Sequence, residues 1–384
     1  MQTGEKICKL KIEAPLDMHS VAPNSQFSKS QFSESKDGLQ TLPSSATSTK
    51  LILNSQLGCV ATIGTFDGVH RGHQCLLKQV REIADERDME AVAITFGTSP
   101  KRVLGMADVP QLNATIEHTE LLCQAGMDRV VVLDFTPAMA AMSARDFMAQ
   151  VLKERLQVAV LVIGYDHRFG RGRAEGFDEY VSYGRELGME VVRGEACVVD
   201  NEPISSTRIR HLLNVGKVDE AAYLLGYRYM LHGEVVDGYK EGRKMGFPTA
   251  NICPADTDKL IPADGVYAVY VYVDDNNNGN RHSDENNSQF SNEVRWPKGK
   301  AILNSQFAYM GMLNIGHRPT MNNGKERSIE VHILDFEGDL YGQSLQIEFV
   351  GHLRDEQTFA NIEELTAQLH KDKEQVKCLL TGIK

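Results

Sequence analysis

Gly64-Thr65-Phe66-Asp67-Gly68-Val69-His70-Arg71-Gly72-His73 is the stretch that decides the fold of the first half of the chain. An apolar run, Val60–Ile63, precedes it, and a helical pattern begins near Gln74. The unpaired backbone N–H groups at the start of a helix favour the binding of an anion, and glycines allow a phosphate to approach the backbone closely. His70 and His73 are spaced so that both can donate hydrogen bonds to one phosphate. We therefore predict phosphate chemistry at this turn, with helix capping or metal binding by the two histidines as alternatives.

Strands and helices alternate outward from this turn, from Gly58 to about Gly226. The short apolar runs typical of strands buried on both faces are Val60–Ile63, Ala91–Phe96, Val130–Leu133 and Val158–Ile163. Helical patterns lie between them, so the sequence predicts an α/β fold with a doubly wound parallel sheet. Ligands of such sheets bind at the carboxyl ends of the strands. Gly164–Gly170, which contains Asp166 and Arg168, follows the last of these runs and is expected at that edge.

A second phosphate-binding element begins a later helix. In Ile204–Arg210, Ser206 and Thr207 are expected to cap the helix and hold phosphate. Arg210, one turn further on, adds a guanidinium whose fork-shaped geometry suits phosphate oxygens.

The second half of the chain has a different pattern. Several β-rich runs follow one another without helices between them, which predicts an antiparallel barrel or sandwich. These runs are Val266–Val273, Tyr309–Leu313, Ile329–Leu334 and Leu345–Val350. A closing helix is predicted after Asn361, with Glu364 three residues later as a capping-box partner.

A glycine-rich basic loop opens this second domain. Gly242-Arg243-Lys244-Met245-Gly246 suits a flap over nucleotide phosphates, although a hairpin turn is the alternative. In the following run, Phe247–Asn251, the Thr249 hydroxyl and the Asn251 amide are hard oxygen ligands of the type that Mg²⁺ accepts.

Composition limits the possible partners and compartment. The 384 residues suggest two or three domains, and 41 Lys plus Arg against 52 Asp plus Glu leave a net charge of −11. An acidic surface repels nucleic acid and anionic lipid, so neither is an expected partner. The seven cysteines are scattered, which argues against a disulfide framework and a zinc site. No signal peptide or membrane-spanning run is found, so we expect a cytoplasmic protein, and the sequence leaves its oligomeric state open.

Two polar segments fit neither domain. Residues 18–56 and 274–307 are predicted loops, and they share the repeat Asn-Ser-Gln-Phe at Asn24–Phe27, Asn287–Phe290 and Asn304–Phe307. The predicted organisation is an N-terminal strand and low-complexity insert over 1–57, the α/β domain over 58–226, and the β domain over 227–384 with an insert at 275–307.

Together these motifs resemble one family over nearly the whole chain. The chain is similar to the prokaryotic bifunctional riboflavin kinase/FMN adenylyltransferases, or FAD synthetases. The similarity also includes Asn314–Thr320, Glu330-Val331-His332, Leu340-Tyr341-Gly342 and Leu353-Arg354-Asp355-Glu356. The resemblance implies a nucleotidyltransferase domain that adenylylates FMN to FAD, and a β-barrel that phosphorylates riboflavin to FMN. ATP would be the co-substrate of both reactions and Mg²⁺ the cofactor.

The resemblance also implies roles for individual residues. His70, His73 and Arg210 would stabilise charge during adenylyl transfer, and Glu330 would be the general base of the kinase. ATP and FMN would contact Gly64, Thr65, Phe66, Asp67, Gly72, Asp166, Arg168, Ser206 and Thr207. ATP and riboflavin would contact Gly242, Arg243, Lys244, Gly246, Phe247, Pro248, Thr249, Asn251 and Arg354, with Thr249 and Asn251 on the metal.

One position departs from the family pattern. Ser99, in Thr95–Pro100, lies where the family commonly has histidine, so a contact to phosphate or flavin is expected to be weaker there. Ser99 motivates one alternative to the bifunctional enzyme, a chain with kinase activity alone. A separate alternative is a β domain that binds flavin without catalysis, which the presence of Thr249, Asn251 and Glu330 disfavours.

Overall fold

A computed structural model describes residues 7–13, 58–106, 109–196, 198–199, 202–238, 242, 245–273, 293–297, 308–317 and 327–382. The predicted ligand residues Arg243 and Lys244 lie outside the described residues. So do the repeats of the polar segments and Arg318–Thr320 of the family motifs.

The N-terminal domain is built on one largely parallel sheet. Its strands are β1 (Ile7–Glu13), β2 (Cys59–Ile63), β3 (Glu90–Phe96), β4 (Arg129–Leu133), β5 (Val158–Ile163) and β6 (Glu190–Arg193). The strand order is β1-β4-β3-β2-β5-β6, with every neighbouring pair parallel. The chain moves from β2 through β3 to β4 and then returns to place β5 on the other side of β2. The topological switch point, where open α/β sheets bind ligands, therefore lies between β2 and β5.

Helices cover both faces of this sheet. They are α1 (Arg71–Glu86), α2 (Pro100–Val103), α3 (Thr115–Gln124), α4 (Pro137–Ala141), α5 (Ala144–Asp146), a π-helix (Phe147–Arg155), a 3-10 turn (Arg171–Arg173) and α6 (Phe177–Leu187). Alternate residues of β2 enter different cores: Ala61 packs with the π-helix and α6, and Val60 packs with α1 and α3. This confirms the predicted doubly wound sheet, because strands buried on both faces require apolar residues at every position.

A small hairpin and two helices lead to the second domain. The hairpin strands are β7 (Val198–Val199) and β8 (Glu202–Pro203), and the helices are α7 (Ser206–Asn214) and α8 (Val218–Leu225). Ile209 and Leu224 pack into the same core as residues of the second domain, so these two helices join the two halves of the chain.

The second domain is a closed antiparallel barrel. Its strands are β9 (Met230–Val236), β10 (Ala250–Pro254), β11 (Gly265–Val273), β13 (Tyr309–His317), β14 (Arg327–Ile333) and β15 (Ser344–Arg354), with β12 (Glu293–Pro297) outside the barrel. The order around the barrel is β10-β14-β13-β11-β15-β9. The final helix, α9 (Ile362–Thr381), packs against the barrel, and its predicted N-cap is confirmed because Asn361 accepts the Glu364 N–H at 2.8 Å. Of the predicted barrel and sandwich, the barrel is correct.

The prediction that residues 274–307 form only a loop is wrong. Within this segment β12 pairs antiparallel with β1, from Ile7 opposite Pro297 to Lys11 opposite Glu293. The pairing covers the outer edge of the parallel sheet, where β1 would otherwise leave N–H and C=O groups unpaired. A five-residue edge strand has too few apolar residues to be recognised from its sequence pattern.

The cysteines also differ from the expectation. Cys75 and Cys123 are disulfide-bonded, whereas Cys59, Cys253 and Cys378 are free. The spacing of cysteines along a chain does not show which thiols the fold brings together. In the described part of the chain, no helix has the length and apolar character needed to cross a membrane.

Candidate active sites

His70 and His73 lie at the beginning of α1, directly beyond β2. His70 is the N-cap of the helix, and its Nδ1 accepts the His73 N–H at 3.4 Å. The two imidazole rings stack with their centroids 3.7 Å apart. A Cβ on Gly72 would lie 3.2 Å from the His70 ring, which explains the glycine between them. The predicted helix and its two histidines are thus confirmed in position, and the helix begins at Arg71 rather than near Gln74.

The two rings are neutral at physiological pH. Burial lowers the pKa of His70 to about 4, and burial together with neighbouring histidines holds the pKa of His73 well below its ordinary value. Because His70 Nδ1 accepts a hydrogen bond, the proton of the neutral ring is on Nε2. His70 therefore caps the helix with one nitrogen and keeps an N–H donor on the other, so capping and phosphate binding are compatible.

Two further histidines join this cluster, and neither is among the site residues predicted from the sequence. His118 comes from α3, and His167 from the loop after β5. Both lie close enough to lower the pKa of His73, and burial lowers the pKa of each to about 4. The Nε2 atoms of both rings are shielded from solvent and have no hydrogen-bond partner. His167 lies within the Gly164–Gly170 motif, which made it recognisable from the sequence, whereas nothing near His118 in the sequence marks it as a site residue.

The metal alternative for these histidines finds no support in the described part of the chain. There, a compact group of three possible ligand residues occurs at Asp264, His317 and Glu356, in the barrel domain. His70 and His73 belong to no such group, and metal binding by them stays an untested alternative.

Asp67 connects the turn after β2 with α7. Its carboxylate accepts hydrogen bonds from the Arg210 guanidinium and from the Leu112 N–H, the latter at 2.9 Å. Ser206 Oγ donates to the Asp67 carbonyl at 2.8 Å. The structure thus brings three predicted site residues together, and Arg210 binds Asp67 here, so its phosphate contact stays a prediction. The cap of α7 is Ser205, which accepts the Arg208 N–H at 3.3 Å, and not Ser206 or Thr207 as predicted.

The turn between β2 and α1 holds unusual backbone angles. Phe66 and Val69 have φ of 44° and 33°, in the left-handed region that non-glycine residues rarely occupy. The Phe66 side chain is buried and its ring meets the edge of His73 at 5.5 Å. Phe66 therefore packs against His73, while Thr65 is exposed at the sheet edge, and the ligand contacts expected of both stay predictions. Backbone strain of this kind persists where the surrounding packing enforces it, often at functional sites.

The other predicted contacts of this site surround the same edge. Asp166 and Arg168 are exposed in the loop after β5, the strand next to β2. Ser99 takes the N-cap position of α2 but makes no capping hydrogen bond with its side chain. Both loops follow carboxyl ends of strands, as predicted.

A second site lies on the barrel, where β10 pairs with β14. Asn251 stands opposite Glu330 in the register of this pair, and Thr249 Oγ1 donates to Glu330 Oε2 at 3.3 Å. A Cβ on Gly238 would overlap the Asn251 amide, so only glycine leaves room for that side chain. The structure therefore brings together the three residues that the sequence predicts for metal binding and base catalysis, although Glu330 is about 80 positions from the other two in the sequence.

The loop before Thr249 is fixed by the backbone and by its apolar residues. Gly242 O accepts the N–H groups of Met245 and Phe247 at 3.1 and 2.9 Å. Phe247 is buried under α9, and the Pro248 carbonyl accepts a hydrogen bond from His332 Nδ1 at 2.8 Å. Phe247 and Pro248 therefore position the loop, and Gly246, with φ of 78°, is exposed at its turn.

A cavity opens beside Thr249. Its wall combines apolar side chains with the polar groups of Thr249, Asp339 and Tyr341, and such polar groups orient small ligands in pockets. The lining residues are Val235, Pro248, Thr249, Ala250, Val331, Ile333, Phe336, Gly338, Asp339, Leu340 and Tyr341.

Arg354 has an internal partner. Its guanidinium Nε and terminal nitrogen donate to Asp372 Oδ2 at 3.0 and 2.8 Å, and the Asp372 side chain is 0% exposed. Asp372 lies on α9, so the pair ties this helix to the end of β15. The ligand contact expected of Arg354 stays a prediction.

Comparisons with known proteins agree with this division into two sites. Residues 53–208 match the family model described as FAD synthetase, and residues 225–380 match the one described as riboflavin kinase. The first match contains both histidines of α1, and the second contains Thr249, Asn251 and Glu330.

Similar curated proteins span both matches. The bifunctional riboflavin kinase/FMN adenylyltransferase of Pseudomonas fluorescens is 34% identical over 315 residues, which cover 82% of this chain and 91% of the relative. The protein of the same description from Escherichia coli (strain K12) is 34% identical over 319 residues, 83% of this chain and 91% of the relative.

A solved structure has the same arrangement of domains. The crystal structure described as a macrolide-efflux protein from Streptococcus pneumoniae has a TM-score of 0.70 and 29% identity. The similarity covers 83% of this chain and 94% of that chain, so it extends over both domains. On these grounds, the chain belongs to the family of bifunctional riboflavin kinase/FMN adenylyltransferases.

Proposed function

We propose that this chain phosphorylates riboflavin to FMN at the barrel and adenylylates FMN to FAD at the parallel sheet, using ATP in both steps. The observation that carries the proposal is the presence of two separate sites in one chain. One consists of the stacked His70 and His73 at the switch point, and the other of Thr249, Asn251 and Glu330 on β10 and β14.

In the kinase reaction Glu330 is the general base. Its carboxylate accepts the proton of the ribityl hydroxyl as that oxygen attacks the γ-phosphorus of ATP and ADP leaves. Thr249, which donates to Glu330 at 3.3 Å, orients the carboxylate. The Thr249 hydroxyl and the Asn251 amide oxygen are ligands that fit Mg²⁺, and the ion would neutralise charge on the transferred phosphoryl group.

The adenylyltransferase reaction needs no general base. A phosphate oxygen of FMN, already anionic, attacks the α-phosphorus of ATP, and pyrophosphate leaves. Charge grows on the phosphate oxygens during this step, and the Nε2–H of His70 would donate a hydrogen bond that stabilises it. A neutral donor at this position stays available over the whole physiological pH range, because burial lowers the pKa of His70 to about 4.

A kinase without adenylyltransferase activity is the second candidate, favoured by Ser99. The experiment that separates the candidates is incubation of the protein with riboflavin, ATP and Mg²⁺, followed by chromatography of the flavins. The bifunctional enzyme yields FAD, the second candidate stops at FMN, and a non-catalytic flavin-binding module returns riboflavin unchanged.

Variants assign the two activities to their sites. His70→Asn keeps a good N-cap and removes the imidazole, so we expect FAD formation to fall roughly 10²–10³-fold while FMN formation persists. Glu330→Gln is expected to lower FMN formation roughly 10²–10⁴-fold. His211→Asn on α7 and Glu363→Gln on α9, both exposed, are the matched controls. Equal loss of both activities in either site variant contradicts separate sites.

A further inference from the structure

A short segment of the N-terminal domain lies between the catalytic turn and the barrel. Residues 110–113 contact Asp67 and Arg210 on one side: Leu112 N–H donates to Asp67 Oδ1 at 2.9 Å, and Arg210 Nε donates to the Pro110 carbonyl at 2.8 Å. The position of this segment therefore sets the position of the Asp67–Arg210 pair.

The barrel domain holds the other side of the segment. Gln111 N–H donates to the Asp258 carbonyl, and Leu260 N–H donates to the Gln111 carbonyl, both at 2.8 Å. Between these two bonds, Lys259 Nζ donates to the Leu112 carbonyl at 2.8 Å. The same residue, Leu112, thus receives Lys259 at its carbonyl and donates to Asp67 from its N–H.

Lys259 is buried in a network of charges. Its side chain is 1% exposed and forms an ion pair with Glu117 of α3, which is equally buried. The other oxygen of Glu117 contacts His232 Nδ1 of β9 at 2.8 Å, and the Tyr229 ring lies 4.3 Å from Lys259 Nζ. Burial alone would raise the pKa of Glu117, but Lys259 and His232 outweigh it and keep the carboxyl ionised.

A second contact from the domain junction reaches the same catalytic turn. Tyr227 Oη donates to the Gly68 carbonyl at 2.8 Å and accepts from Asn113 Nδ2 at 3.0 Å. Gly68 lies two residues before His70. Tyr227 of the junction therefore contacts the loop that leads to the two histidines. Lys259 of the barrel contacts Leu112, which in turn binds the Asp67–Arg210 pair.

We propose that Lys259, a residue of the kinase domain, is a positioning residue for adenylyl transfer in the other domain. It acts through Leu112 and Asp67 on Arg210 and on the turn after β2, and it touches neither substrate. The proposal rests on the proposed adenylyltransferase function. A displacement of about 1 Å in a reacting geometry can lower a rate roughly 10²-fold, so a residue of this kind influences turnover without contacting the ligands.

The test compares variants of the full chain. Lys259→Met removes the charged donor, and the double variant Glu117→Gln/Lys259→Met also removes the carboxylate that the single variant leaves buried without its partner. We expect the double variant to fold, to form FMN within about twofold of the wild-type rate, and to lose roughly 10–100-fold in kcat for FAD formation. Lys259→Arg, which keeps the charge, should restore part of the loss. Arg102→Met is the control, because the Arg102–Asp258 ion pair also joins the domains but is solvent-exposed.

Two readouts separate positioning from general stability. Rates are measured well below the melting temperature of each variant, and kcat is determined separately from the KM for ATP and for FMN. The proposal is overturned if the folded double variant forms FAD at the wild-type kcat, or if both activities fall in parallel. If the wild-type chain makes no FAD at all, the proposed function has failed instead.

Discussion

The Arg354–Asp372 pair offers a direct test of whether Arg354, a residue of the family motif, binds the ligand or stabilises the fold. Two guanidinium nitrogens of Arg354 lie 2.8 and 3.0 Å from Asp372 Oδ2, and Gln368 Nε2 donates to Oδ1 at 2.8 Å. The Asp372 side chain is 0% exposed, so water cannot replace a lost partner. Arg354→Met therefore leaves a buried carboxylate without its cation.

The magnitude follows from this burial. Removing one partner of a buried ion pair destabilises a protein by about 3–5 kcal/mol, whereas replacing both partners with apolar residues is often nearly neutral. We expect Arg354→Met to lose about 3–5 kcal/mol in the free energy of unfolding of the barrel. Arg354→Met/Asp372→Leu should recover most of that loss. Because His370 of α9 packs on Phe247 with ring centroids 5.0 Å apart, the single variant should also loosen the loop before Thr249.

The assay is urea unfolding of both variants, with the KM for riboflavin measured in parallel at low temperature. If Arg354 serves the fold, the free energy of unfolding and the KM for riboflavin should both return towards their wild-type values in the double variant. The reasoning is refuted if Arg354→Met unfolds at the wild-type urea concentration while the KM for riboflavin rises, because Arg354 would then act on the ligand.

Two further predictions concern acid stability and the insert. Burial lowers the pKa of His70 from the ordinary 6.5 to about 4 in the folded protein. Below pH 6.5 the unfolded chain therefore binds more protons at this residue than the folded chain does. Because of this difference, the folded state loses stability as the pH falls towards 4. At pH 5 the loss in the free energy of unfolding due to His70 is roughly 2 kcal/mol. Urea unfolding at several pH values should therefore show a weaker pH dependence of stability in His70→Asn than in the wild type. An equal pH dependence in the two proteins would contradict the burial of His70 as the cause. Deleting residues 275–306 removes β12, which pairs with β1 at the outer edge of the sheet. Both activities should be retained, and loss of both would show that the insert supports catalysis.

Sequence patterns were sufficient wherever the physical cause is local. Val60–Ile63 and the following turn identify a buried strand, a helix start and the histidine N-cap, because those features depend on residues within about ten positions of each other. Anion binding at that helix start stays a prediction. The Asn361 cap was predicted by its spacing to Glu364 and is confirmed. Thr249 and Asn251 are two positions apart at the beginning of β10, so their proximity was also predictable, and their metal binding stays a prediction.

Tertiary structure decided what depends on residues distant in sequence. His118 joins the histidine cluster because α3 packs beside α1, and Lys259 reaches Leu112 because the barrel docks against the segment after α2. Arg354 binds Asp372 because α9 returns across the barrel. Hydrophobic periodicity indicates which face of a helix or strand is buried, but it does not indicate which other element covers that face. The partners of the buried charges are therefore known only from the folded chain.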